Sequence, residues 1–148
     1  MNARVNIMAI GALALAGVAA AYAQAPAPNT PDPRLAALGE QLWNETASCR
    51  NCHGTKANGV ADVPQEPNGA NLHLTKLTPD QLTEVIKCGR PGTAMPYFAA
   101  GSYTDKKCYD MTAADVGTAI PTSGQPQLAE RQINGLVAFI FSRFVGQP

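Results

Sequence analysis

Three residues in the stretch CRNCHG, namely Cys49, Cys52 and His53, have the types and the spacing to do chemistry. Cysteine and histidine side chains can hold zinc, a pair of cysteines can exchange a disulfide, and the pattern Cys-x-x-Cys-His is typical of covalent haem attachment. Zinc is disfavoured because a histidine directly after Cys52 is awkwardly placed for a tetrahedral set of ligands. A redox pair is disfavoured because it needs a βαβ context, and the sequence shows none.

Haem attachment accounts for all three residues at once. Two cysteines separated by two residues can form thioethers with the two vinyl groups of one porphyrin, and the histidine that follows lies under the iron. Cys49 and Cys52 are therefore predicted to anchor a haem covalently, and His53 to bind its iron. A closed iron site needs a second ligand on the opposite face of the haem. The candidates outside the N-terminal segment are His73, Met95 and Met111.

A helix is predicted immediately before the motif. Asp32 can cap the first free backbone N–H groups, Pro33 suits the first helical position, and apolar residues recur at helical spacing until the run ends near Ala47. The segment after the motif, residues 55–73, is rich in Gly, Asn and Pro and is predicted to be an irregular loop. A loop of that length in a small domain indicates a functional role.

Further helical signals follow downstream. The segment Thr78–Gln81 is a capping box, and Gly89 is placed to end the helix that it starts. A weaker capping signal spans Thr112–Asp115. The last helix is predicted over residues 126–145, with Pro126 at its first position and apolar residues recurring at helical spacing. Since no stretch alternates convincingly with a period of two, the fold class is predicted to be all-α with long loops.

The first 33 residues are predicted to lie outside the folded domain. Arg4, an apolar stretch over residues 7–20 and a small-residue site at Ala21–Ala23 are typical of a secretory signal peptide over residues 1–23. The alternative is an uncleaved anchor, which the shortness and the alanine and glycine content of the stretch disfavour. Residues 24–33 are then a Pro- and Ala-rich flexible leader, and residues 34–148 one domain.

Charge and hydropathy exclude some classes of partner. Without Arg4, which leaves with the signal peptide, the chain has ten basic and eleven acidic residues. A broad surface for polyanions is therefore not expected, and nucleic acid is excluded as a partner. No second segment is apolar enough to span a membrane, so no stable membrane insertion is expected after cleavage. The expected location of the chain is the periplasm.

Four segments together resemble the class I c-type cytochromes. They are CRNCH, GANL at residues 69–72, LTPDQLTEVIKCG at residues 77–89 and GRPGTAMPYF at residues 89–98. The resemblance implies a small cytochrome c fold of about four helices around one covalently bound haem c, with His53 and Met95 as the axial iron ligands. It also implies contact between the first and last helices, where Gly39 could allow close approach and Trp43 would pack.

The resemblance implies further contacts around the haem. Leu72, Tyr97 and Phe98 are expected to pack against it. In many family members a proline carbonyl accepts the N–H of the ligand histidine, which fixes the histidine tautomer. Ala70 stands at that position here, and Pro64 is a second candidate for the acceptor.

Residues 99–125 form an insertion relative to the smallest members of that family. Cys88 and Cys108 are left over once the haem has taken the other two cysteines. In an exported chain they are predicted to pair as a disulfide, which would attach the insertion to the helix before Met95. It would also hold shut the loop that carries Met95, residues 89–98, which we call the Met95 loop. The alternative is two buried free thiols.

The predicted function follows from the closed iron site. With both axial positions filled there is no open position for a substrate, so the chain is expected to transfer one electron at a time rather than act as an enzyme. It would take electrons from a periplasmic dehydrogenase and pass them to a terminal oxidase or another cytochrome. The alternatives are a dedicated cytochrome subunit or partner of a periplasmic quinoprotein or molybdenum dehydrogenase, and a haem enzyme or gas sensor. The basic residues that could steer an acidic partner are Lys56, Lys87, Arg90, Lys106 and Lys107, although acidic residues are interspersed with them.

Overall fold

The computed structural model describes residues 31–147, and within that range the fold is helical. The predicted signal peptide and most of the predicted leader lie outside the described residues. The five α-helices are α1 (Pro33–Gln41), α2 (Arg50–His53), α3 (Pro79–Cys88), α4 (Ala113–Val116) and α5 (Glu130–Arg143). No β-strand occurs between residues 31 and 147, so the predicted all-α class is confirmed.

Helix α1 begins at the predicted cap. The Asp32 carboxylate accepts the N–H of Arg34 at 2.8 Å, and Pro33 is the first helical residue. Pro33, the last residue of the predicted leader, is therefore part of the helix. The chain continues into a wider π-helical turn, Leu42–Thr46, which the sequence did not predict. This turn buries Leu42 and Trp43 just before the haem-attachment motif.

Helix α3 also begins and ends as predicted. The Thr78 hydroxyl accepts the N–H of Gln81 at 3.2 Å, and the Gln81 side chain accepts the N–H of Thr78 at 2.9 Å. The helix stops at Cys88 because Gly89 has a φ of +64°, a left-handed conformation that favours glycine. Its inner face buries Leu82 and Ile86.

The predicted start of the last helix was wrong. Helix α5 begins at Glu130, after Pro126, and its first turn is closed by the Gln132 side chain, which accepts the N–H of Ala129 at 2.9 Å. The preceding residue, Leu128, is buried and donates its N–H to the carbonyl of Phe98 at 2.7 Å. The segment around Pro126 is therefore engaged with another loop instead of extending the helix.

Helices α1 and α5 pack closely against each other, which the resemblance implied. A Cβ atom on Gly39 would fall on the backbone carbonyl of Gly135, so the two backbones touch where both residues are glycines. Next to this crossing, the ring of Trp43 lies 6.0 Å from that of Phe139 and 5.3 Å from that of Phe144, centroid to centroid. Within residues 31–147 no helix has the length and apolar character needed to cross a membrane.

The insertion forms a second, smaller core beside α3. Its buried members are Cys88, Tyr103 and Cys108, and Tyr97 and Tyr109 pack around them. Cys88 and Cys108 are joined by a disulfide with their Cα atoms 5.5 Å apart. This arrangement places residues 99–125 directly against the end of α3 and the segment that carries Met95.

Candidate functional site

A cavity of about 800 Å³ occupies the centre of the described domain. It lies between the CRNCHG motif, the loop before α3, the inner face of α3, the Met95 loop and α5. Its walls are mainly apolar, and the volume is within the range that proteins use to hold cofactors. The predicted site residues that line it are Cys49, Cys52, His53, Leu72, Met95 and Phe98.

The two cysteines of the motif face this cavity from a single helical turn. Cys49 immediately precedes α2 and Cys52 lies within it. Both are free thiols that are partly accessible. Burial raises the pKa of the Cys49 thiol to about 12. Burial, and then the nearby Glu66 carboxylate, also raise the pKa of Cys52, whose sulfur lies 3.7 Å from Oε2 of Glu66.

The imidazole of His53 is oriented by a backbone carbonyl. Its Nδ1 lies 3.0 Å from the carbonyl oxygen of Ala70, so Nδ1 carries the proton and donates it. Burial lowers the pKa of His53, which keeps the ring neutral and leaves Nε2 free to bind a metal. Ala70, and not Pro64, is therefore the acceptor. Histidines that bind a metal usually donate their other ring N–H to an oxygen in this way.

Met95 reaches the cavity from a tightly closed loop. The Met95 carbonyl accepts the N–H of Arg90 at 3.1 Å, and the Met95 N–H is donated to the hydroxyl of Thr93 at 3.2 Å. Gly89 lies against the same loop, since a Cβ atom there would be 2.6 Å from the Met95 carbonyl oxygen. The thioether side chain is partly buried against the main core.

The other two ligand candidates do not line the cavity. Both ring nitrogens of His73 face backbone carbonyls, that of Lys56 at 2.7 Å from Nε2 and that of Gln147 at 3.1 Å from Nδ1. Met111 belongs to the insertion, where its N–H is donated to the carbonyl of Cys108 at 2.8 Å. Of the three candidates from the sequence, Met95 is therefore the one that lines the same cavity as His53.

Tyr97, which was expected to pack against the haem, does not line the cavity. Its ring lies against Tyr103 of the insertion, 6.2 Å between centroids, while the next residue, Phe98, lines the cavity. The backbone is extended here, with Tyr97 bridged to Ser123, and consecutive side chains of an extended segment point to opposite sides.

Two further residues, which were not among those predicted to contact the haem, also line the cavity. Gly69 lies against the His53 ring, and Trp43 forms part of the wall with its indole Nε1 buried. Among residues 31–147, this nitrogen is the one buried side-chain nitrogen or oxygen without a hydrogen-bond partner. Buried donors are nearly always paired, and the protein supplies no hydrogen-bond partner for this N–H. Together with the thiols, the free Nε2 and the thioether, it fits a covalently attached haem.

The cavity opens to solvent past an apolar and basic rim. Leu74 is 70% exposed although it lines the cavity, and the two charged residues in the lining are Lys76 and Arg90. Lys76 was not among the basic residues singled out from the sequence. Lys107, which was, pairs with Asp105 at 2.8 Å. Among the described residues, no group of three or more His, Cys, Asp and Glu side chains is arranged to hold a metal ion.

Comparisons with known proteins identify the family of this chain. The family model described as cytochrome c oxidase, cbb3-type, subunit III matches residues 34–114. No curated protein matches the chain. The solved structure of the c-type cytochrome SorU from Sinorhizobium meliloti is 18% identical, with a TM-score of 0.46, and the match covers 78% of this chain and 97% of that one. The reducing HAO-like protein complex from Kuenenia stuttgartiensis is 17% identical, with a TM-score of 0.43, and the match covers 81% of this chain and 48% of that one.

Proposed function

Because this chain belongs to the family described as cytochrome c oxidase, cbb3-type, subunit III, and is a class I c-type cytochrome, we propose that it is an exported one-electron carrier with a single haem c. A cytochrome c domain implies a covalently bound haem, whose iron supplies one-electron chemistry when it is bound. Beyond what the family implies, we propose that the chain binds one haem, that His53 and Met95 are the iron ligands and that the protein is periplasmic.

Each site residue has one role in this proposal. Cys49 and Cys52 hold the haem as thioethers, formed when each S–H adds across a vinyl double bond. His53 binds iron through Nε2, because its Nδ1 is committed to the Ala70 carbonyl. Met95 would supply its thioether sulfur as the second iron ligand, and a methionine–histidine pair raises the reduction potential of a haem. The single observation that carries the proposal is that these four side chains line one cavity.

The same geometry supports electron transfer without substrate binding at iron. If the protein supplies both iron ligands, electrons would enter and leave on the solvent-exposed side of the site, which needs only a transient contact with a partner. Leu74, Lys76 and Arg90 surround the opening. We assign the partners by class, with a periplasmic dehydrogenase as donor and a terminal oxidase or another cytochrome as acceptor.

A second candidate is a dedicated cytochrome subunit or partner of one periplasmic dehydrogenase, of the quinoprotein or molybdenum type. The observation that favours it is the insertion, which is folded around its own small core and adds surface beside the Met95 loop. Purification from the native host separates the two. A stable complex that survives chromatography supports the subunit, and a cytochrome that elutes alone supports the carrier.

The visible spectrum of the reduced holoprotein, recorded before and after carbon monoxide is added, tests the closed site. An unchanged spectrum of c-type haem is expected. The variant Met95→Ala should bind carbon monoxide, whereas Met111→Ala, the matched control on the insertion, should behave as the wild type. A clear spectral shift in the wild type would remove Met95 from the iron and favour a haem enzyme or gas sensor.

A further inference from the structure

Two tyrosines of the insertion bind consecutive backbone carbonyls at the end of α3. The hydroxyl of Tyr103 donates to the carbonyl of Cys88 at 2.7 Å, and that of Tyr109 donates to the carbonyl of Gly89 at 2.6 Å. These two residues are the last of α3 and the first of the Met95 loop. The insertion therefore makes its polar contacts at the point where that loop leaves the helix.

The peptide unit between Gly89 and Arg90 connects Tyr109 to Met95. Its carbonyl accepts the Tyr109 hydroxyl, and its N–H donates to the carbonyl of Met95 at 3.1 Å. The two hydrogen bonds lie at opposite ends of one planar unit, so each one polarises the peptide and strengthens the other. Tyr103 has no such connection, because its acceptor belongs to the preceding peptide.

Tyr109 is itself held in place for this contact. Its backbone has a φ of +54°, an uncommon conformation for a residue with a side chain, and its N–H donates to the Glu84 carboxylate at 3.1 Å. The neighbouring Cys108 is tied to α3 by the disulfide. Burial raises the pKa of Tyr109 to about 12, so its hydroxyl remains a proton donor at any physiological pH. Strained backbone of this kind persists where the surrounding structure requires it.

We propose that Tyr109 is a positioning residue for Met95, which it holds on the iron by fixing the Gly89–Arg90 peptide. This inference rests on the proposed ligation of iron by Met95 and goes beyond it, because it names what keeps the ligand in place. The insertion is then part of the haem site as well as added surface. Its role is to make the sixth ligand hard to displace by small external ligands.

The experiment compares Tyr109→Phe with Tyr103→Phe in the ferric holoprotein. Each variant removes one hydroxyl from the same small core. Imidazole is titrated against the near-infrared band that reports the bond between ferric iron and a methionine sulfur. We expect Tyr109→Phe to bind imidazole about fivefold more tightly than the wild type, the factor that one net hydrogen bond of about 1 kcal/mol is worth. Tyr103→Phe should lower the free energy of unfolding. Its imidazole affinity should stay within about twofold of the wild type, since the lost hydrogen bond is to α3 and not to the Met95 loop.

The outcomes separate this inference from the proposed function. If the wild type shows the iron–sulfur band and Tyr109→Phe binds imidazole no more tightly than Tyr103→Phe, Tyr109 does not position Met95. If the wild type lacks the band, Met95 is not the ligand, and the proposed function fails together with this inference. Should Tyr109→Phe not accumulate, Glu84→Ala, which removes the acceptor of the Tyr109 N–H, must weaken the Met95 bond in the same titration, and an unchanged affinity would overturn the inference.

Discussion

Gly69 lies directly against the imidazole of His53, such that a Cβ atom on Gly69 would be 2.7 Å from Nδ1 and 2.9 Å from Cγ. The same ring nitrogen donates to the carbonyl of Ala70, the next residue. The backbone of these two residues therefore sets both the position and the tautomer of the proposed iron ligand. A side chain at position 69 would compete with the ring for the same space.

The substitution Gly69→Ala is expected to destabilise the holoprotein by about 1–3 kcal/mol, the usual cost of overpacking. It should also raise the reduction potential, because displacing the ring weakens its bond to Ala70 and makes the imidazole a poorer donor to ferric iron. Denaturant unfolding and redox titration measure the two effects. Gln65→Ala is the control, since it changes an exposed side chain of the same loop that does not line the cavity. Equal effects from both variants would contradict this prediction.

A second prediction concerns the crossing of α1 and α5. Gly39→Ala should destabilise the protein by about 1–3 kcal/mol through overpacking, because the new methyl group would fall on the Gly135 carbonyl. This cost outweighs the gain of up to about 1 kcal/mol in helix propensity. Gly135→Ala should cost less, since its Cβ would meet its nearest atom, the carbonyl oxygen of Leu35, at 3.1 Å.

Denaturant unfolding of the two glycine variants and of Glu40→Ala, an exposed neighbour on α1, checks the order. Glu40→Ala should change the free energy of unfolding by no more than about 0.5 kcal/mol. If Gly39→Ala were as stable as Glu40→Ala, the two helices would not be in backbone contact.

Local signals were sufficient to predict where most helices begin. Asp32, Thr78 and Thr112 each cap a helix through their own side chains, and the partners lie within three residues, so the sequence contains the whole interaction. The motif around His53 is equally local. For α5 the local evidence was misleading, because Pro126 suits a first helical position but the neighbouring Leu128 pairs with Phe98 in a distant loop.

Features of the site that depend on contacts between distant segments could not be predicted in this way. The resemblance implied the hydrogen bond between His53 and Ala70, but the sequence does not indicate that a side chain at Gly69 would meet the His53 ring. The opposite directions of Tyr97 and Phe98 depend on the insertion pairing with that segment. The link from Tyr109 to Met95 passes through a backbone peptide, which has no sequence signature of its own.

A third prediction concerns the disulfide between Cys88 and Cys108, which closes a loop with a sequence separation of 20. The double variant Cys88→Ala/Cys108→Ala should lower the free energy of unfolding by roughly 3 kcal/mol in the loop-entropy model. Dithiothreitol should destabilise the wild type by a similar amount and leave the double variant unchanged, since thioethers to haem are not reduced. Two reactive thiols in the unfolded, unreduced wild-type holoprotein would instead show that the cysteines are free.

The final prediction concerns acid stability and the exposed carboxylate of Asp62. It accepts the Thr55 hydroxyl at 2.6 Å, the Thr55 N–H at 3.1 Å and Nε of Arg50 at 2.9 Å. The hydrogen bonds from Thr55, followed by the charge of Arg50, hold the pKa of Asp62 below its ordinary value. A carboxylate whose pKa is lower in the folded chain stabilises the fold at pH values above its pKa in the unfolded chain, about 3.9. This contribution is lost as the pH falls through the pKa of the folded chain.

The free energy of unfolding of the wild type should therefore fall more steeply below about pH 5 than that of Asp62→Asn, which cannot titrate at this position. Thr55→Val removes the hydroxyl that contributes most to the shift, so its slope should lie between the two. Denaturant unfolding of the three holoproteins at several pH values between about 6 and about 3 gives these slopes. Parallel slopes for the wild type and Asp62→Asn would mean that this carboxylate is not bound more tightly in the folded chain.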